Sequence, residues 1–111
     1  MSYKRIKTIE AATFVQGTVN CTYDILCRYF GEPDIPQLSQ HQKIQGEWLV
    51  HFNHGNLEVR ISDWKQSKLF LGEELGKDLA DVTEWQVSGA DSTNQNALEL
   101  VQLVVLGQYI N

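Results

Sequence analysis

Glu47-Trp48-Leu49-Val50-His51-Phe52-Asn53-His54-Gly55-Asn56-Leu57-Glu58-Val59-Arg60-Ile61-Ser62-Asp63-Trp64-Lys65 reads as two alternating runs folded about a short polar turn. Alternation of period two on either side of Asn53-His54-Gly55-Asn56 predicts a β-hairpin. In the first arm Trp48, Val50 and Phe52 share one face while Glu47 and His51 lie on the other. In the second arm Leu57, Val59 and Ile61 oppose Glu58, Arg60 and Ser62. One face is therefore core. The other carries Arg60 and, by parity, Trp64, with Asp63 and Lys65 beside them where the arm ends. A large aromatic and two cations are thus expected at an exposed sheet edge.

Upstream, residues 9–19 alternate as a strand interrupted at Gly17. Thr22 then caps a helix over about Tyr23 to Phe30, in which Ile25, Leu26, Tyr29 and Phe30 fall on one side and Gly31 stands at the left-handed stop. Pro33 forbids continuation, and residues 32–42 read as a loop. Downstream, residues 66–81 are irregular, and a third long strand is expected from Val82 to Ser88 with Val82, Trp85 and Val87 as its apolar positions. Parity breaks between Val82 and Trp85. Gly89 ends that strand, and one of Asp91, Ser92 or Thr93 caps a last helix running to about Tyr109. Its inner face is broad, with Leu98, Val101 and Val105 on one stripe and Ala97, Leu100 and Val104 on the next. The sum is a single α+β domain over residues 1–111, a small antiparallel β-sheet packed against one short and one longer C-terminal α-helix. Leu103 and Leu106 lie outside both stripes, and this surplus predicts a homo-oligomer with a seam on the last helix.

A chain of 111 residues with 42% hydrophobic and 21% charged residues has the composition of an ordinary folded domain, not of a disordered or fibrous one. Its net charge of −5 is unevenly placed. Residues 1–70 hold eight Lys/Arg against seven Asp/Glu, whereas residues 71–111 hold Lys77 against seven acids. That balance argues against direct nucleic-acid binding, which needs clustered Lys and Arg, and suits a basic protein partner. No stretch approaches the roughly 20 apolar residues that cross a bilayer, and no apolar run follows the basic start, so no membrane association is expected. Cys21 and Cys27, six apart, lack the close pairing of a zinc site and are expected as free thiols. His51 and His54 straddle a strand end and a turn, and His41 stands apart, so no metal is expected. No arrangement of nucleophile with base, or of paired carboxylates, indicates an enzyme, and no cofactor is implied.

Phe30-Gly31-Glu32-Pro33, Gly46-Glu47-Trp48 opening a strand, Asn53-His54-Gly55 at the turn, Ile61-Ser62-Asp63-Trp64-Lys65, Leu71-Gly72-Glu73-Glu74, and Thr83-Glu84-Trp85 with Ser88-Gly89 follow one another in order. This order resembles a family of small tailed-phage accessory proteins without a known enzymatic activity. The resemblance covers about residues 13 to 105. The chain departs from the family at the turn, where an acidic residue is commoner than Asn53-His54, and at Ser62, where Tyr is usual. The resemblance implies phage origin, residence in the host cytoplasm, and a role against host immunity by sequestering a nucleotide signal or by blocking a host protein.

Combined with the residue pattern, these implications lead to a non-enzymatic binding protein for a nucleotide-type ligand. Trp64 would stack the base, while Arg60, Lys65 and Lys68 would answer the phosphates. The alternative is an acidic inhibitor that docks residues 73–84 on a basic channel of a host defence protein.

Overall fold

The computed structural model describes residues 2–10, 12–35, 44–66, 71–90 and 96–109. These form β1 (Tyr3–Arg5), β2 (Phe14–Asn20), α1 (Tyr23–Phe30), β3 (Glu47–Phe52), β4 (Leu57–Ser62), a 3-10 turn (Leu79–Asp81), β5 (Glu84–Gly89) and α2 (Asn96–Val105). The strands make one antiparallel sheet in the order β1-β3-β4-β5-β2. The fold is α+β, with both helices on one face of that sheet. No helix among the described residues is long and apolar enough to cross a membrane.

The hairpin is as its alternation requires. Glu47 pairs with Ser62 at its open end and Phe52 with Leu57 at its closed end. Gly55 and Asn56 adopt left-handed backbone, at φ 76° and 51°, in a turn closed by a 3.1 Å bond from the Asn56 N–H to the Asn53 carbonyl. Those are the two residue types that enter this region at least cost. Trp48, Val50, Phe52, Val59 and Ile61 are wholly buried on the helix side, together with Trp85 and Val87 of β5.

Two tryptophans tie α1 to the sheet. Their rings meet edge to face at 5.3 Å and 82°, and their indole N–H groups run to opposite ends of the helix. Trp48 Nε1 donates to the Gly31 carbonyl at 2.8 Å, just past the C-terminus. Trp85 Nε1 donates to the Cys21 carbonyl at 2.9 Å, just before the N-terminus. A buried indole needs a partner for its donor, and here each partner fixes a helix end. Thr22 caps α1 through its hydroxyl, which accepts from the Ile25 N–H at 3.4 Å. At the other end the Arg5 guanidinium donates to the carbonyls of Phe30 and Glu32 at 2.7 and 2.6 Å and pairs with Asp34 at 3.0 Å. A cation there meets the negative end of the helix dipole.

Three element boundaries differ from the sequence expectation, and one strand is added. β1 is an additional strand. At three residues it is too short to show periodicity, and Tyr3 secures it by packing on Phe30, Phe52 and Tyr109. β2 begins at Phe14, not Ile9, because its partner β5 ends where Gly89 faces Phe14 and leaves earlier residues without a ladder. β5 begins at Glu84, not Val82. Val82 is buried but terminates the 3-10 turn, its N–H on the Leu79 carbonyl at 3.3 Å, which accounts for the break of parity. α2 stops at Val105, not Tyr109, in a Schellman closure: Gly107 N–H bonds Val104 O at 2.9 Å, Gln108 N–H bonds Leu103 O at 2.8 Å, and Gly107 takes φ 71°. The expected capping residues of α2, Asp91 to Thr93, lie outside the described residues.

α2 lies over β5 and β2 and buries Ala97, Leu100, Val101 and Val104. Leu98 and Val105 are half-covered at the margin. Gly17 makes the approach possible, since a Cβ there would stand 2.9 Å from Leu98 Cδ2, and its φ of 149° belongs to a bulge between Val15 and Gly17.

Candidate functional site

The register that buries the apolar rows places a polar row on the far side of the sheet. Arg60 of β4 lies opposite Ser88 of β5, and Ser62 lies opposite Gln86. These four residues floor a groove of about 220 Å³, walled by Trp64, Ile44 and Val15. Arg60 and Trp64 therefore line one groove, but they lie on the middle strand of the five and the turn after it, not at the exposed sheet edge expected from the sequence, because β5 pairs along β4. The far face is not uniformly exposed, because Leu49, Ser62 and Ser88 are buried on it.

Arg60 is held from one side. Its Nε stands 3.4 Å from Glu47 Oε1, close enough for an ion pair, and finds no hydrogen-bond partner among the described residues. A guanidinium with one carboxylate beside it and further N–H groups to offer can accept a second anion.

Trp64 and Lys65 occupy the turn that leaves β4. The Gln66 N–H closes that turn on the Asp63 carbonyl at 3.0 Å, and Lys65 takes left-handed backbone at φ 61°. The Lys65 ammonium lies 5.8 Å from the Trp64 ring centroid, within cation–π range. Lys65 thus neighbours Trp64 but is not among the residues that line the groove. Lys68 lies outside the described residues.

Asp63 corrects the sequence reading, which set it on the exposed edge. It is wholly buried. Its carboxylate accepts the Gln45 N–H at 2.8 Å, the Gln45 Nε2–H at 3.0 Å and the Gly46 N–H at 3.3 Å. The Gln45 amide also donates to the Lys77 carbonyl at 2.7 Å, and the Lys77 N–H donates to the Gln66 carbonyl at 2.7 Å. One buried carboxylate therefore joins the strand start that positions Ile44 to the turn that positions Trp64, so both walls of the groove share a support.

Ser62, Gln86, Ser88, Ile44 and Val15 were not singled out from the sequence as site residues. Parity from Arg60 reaches Ser62. Ser88 and Gln86 require the β4–β5 pairing, which the sequence does not specify.

The groups whose titration the fold displaces lie elsewhere. Burial pushes the Cys21 thiol up to about 11, and a bond with Cys27 followed by burial raises Tyr23 to about 12. Both pack against the core on the helix side. Among the described residues no three His, Cys, Asp or Glu side chains gather in a way that could hold a metal ion. No family model matches the chain, and no curated protein and no solved structure matches it.

Proposed function

We propose that the protein is a non-enzymatic binding module that sequesters a nucleotide-type ligand in the Arg60–Trp64 groove, as a phage protein acting in the host cytoplasm against an immune signal. The observation that carries the ligand reading is that Arg60 and Trp64 line one groove floored by two hydroxyls and an amide, with the Lys65 ammonium 5.8 Å from the Trp64 ring centroid. An indole offers a face to a planar base, a guanidinium answers phosphate, and Ser62, Ser88 and Gln86 supply edge contacts. The order of motifs from Phe30-Gly31-Glu32-Pro33 to Ser88-Gly89 supports the phage assignment.

Titration calorimetry against a panel of cyclic and linear nucleotides tests the reading. Stacking contributes about 1 to 3 kcal/mol and a charge-assisted bond about 1.5 to 3 kcal/mol, so Arg60→Ala and Trp64→Ala should each weaken binding roughly ten- to hundredfold with the fold intact. Equal heats from wild type and both variants would remove these residues from the site.

A second reading rests on a different surface. Glu73, Glu74, Asp78, Asp81 and Glu84 are all exposed within one segment whose only cation is Lys77. A basic channel of a host defence protein is the complementary partner. Pull-down from host lysate with these acids neutralised separates the two: loss of a partner there, with retention in Arg60→Ala, favours inhibition over sequestration.

A further inference from the structure

Among the described residues the groove is lined by one charged side chain, Arg60. That guanidinium already has an acid beside it. Glu47 pairs with Ser62 across the hairpin and sets its Oε1 3.4 Å from Arg60 Nε, and the Glu47 side chain is only 13% exposed against 33% for Arg60. A second carboxylate, that of Asp63, is wholly buried at the position between Ser62 and Trp64. The Lys65 ammonium, 5.8 Å from the Trp64 ring centroid, is the other cation near the groove among the described residues. Two cations are thus set against two carboxylates, and their charges cancel. The cost of taking an anion out of water rises faster than its charge, whereas the attraction it finds rises only in proportion. Where local charges cancel, a second negative charge on a ligand adds to that cost and finds no attraction to offset it, and the net charge of −5 opposes it at longer range.

We propose that the groove selects a singly charged phosphodiester over a phosphate monoester or a polyphosphate, and that Glu47 is the residue that sets this preference. The proposal rests on the ligand reading of the groove and names the class of nucleotide within it. A diester presents one negative charge, which the free N–H groups of one guanidinium can answer. A monoester or polyphosphate brings further charge toward Glu47, and like charges repel in proportion to both. The size of the groove points the same way. At about 220 Å³ it is smaller than the roughly 300 to 1,000 Å³ of pockets that enclose small molecules, so it seats one base with one phosphate and offers no further lining to a polyphosphate tail.

Titration calorimetry without divalent cations, above about pH 7 where a phosphate monoester carries its second charge, decides it. The probes are a nucleoside 5′-monophosphate, its methyl ester and the corresponding 5′-triphosphate, each prepared with all four bases. Wild type should bind the methyl ester at least roughly tenfold more tightly than the monophosphate, and the triphosphate more weakly still. Glu47→Gln keeps the shape of the side chain and removes its charge, so it should close the gap between ester and monophosphate to about threefold or less. Should that variant fail to fold, the wild-type comparison decides alone. Equal binding of ester and monophosphate by wild type, or tighter binding of the monophosphate, overturns the diester preference and leaves the ligand reading in place. An undiminished gap in folded Glu47→Gln overturns the role of Glu47. If wild type binds none of the probes, the ligand reading itself falls, and the diester preference with it.

Discussion

Asp63 shows how a single buried carboxylate can shape a site it does not enter. Its three acceptor contacts are the reason the chain before β3 and the turn after β4 stay together, so removing it leaves the N–H groups of Gln45 and Gly46 without their partner. Asp63→Ala should cost about 3 kcal/mol in a urea melt, since bonds to a charged group contribute about 1.5 to 3 kcal/mol and orphaned donors add their own penalty. A loss under about 1 kcal/mol would mean that Asp63 is not the support of the groove. The neighbouring residues were legible from parity: Arg60 and Trp64 are an even number of positions apart and face away from Ile61. Asp63 was not, because its partners lie seventeen and eighteen residues earlier, across a separation to which hydrophobic period is blind.

At the scale of elements, the hairpin and α1 were readable because each carries its own signal. Alternation about the Asn53-His54-Gly55-Asn56 turn specified one, and a Thr cap with a Gly stop specified the other. β1 and the order of the strands were not readable, since they depend on Tyr3 finding Phe52 and on β2 crossing to β5. Gly17 is the point at which the placement of α2 depends on a single residue. Gly17→Ala puts a Cβ 2.9 Å from Leu98 Cδ2 and forces a side chain into φ 149°, so it should destabilise the domain by about 1 to 3 kcal/mol. Thermal unfolding followed by circular dichroism measures this. An unchanged midpoint would place α2 further from β2 than the structure has it.

For the whole molecule, the burial that builds the helix side also sets its response to base. Cys21 has its thiol raised from 9.0 to about 11, so its protonated form is favoured by folding. The folded state then holds more protons than the unfolded chain between those values, and stability should be full below about pH 9 and decline toward pH 11. Cys21→Ser should flatten that decline in a pH series of denaturant melts; an identical slope would assign it to other groups. The far side of the sheet carries the proposed ligand chemistry. Native mass spectrometry of the protein recovered from infected, immune-activated host cells tests sequestration most directly. The account predicts a species bearing the extra mass of a nucleotide, absent from the Arg60→Ala protein recovered in the same way. Recovery of the bare chain from cells in which that signal is being made would contradict it.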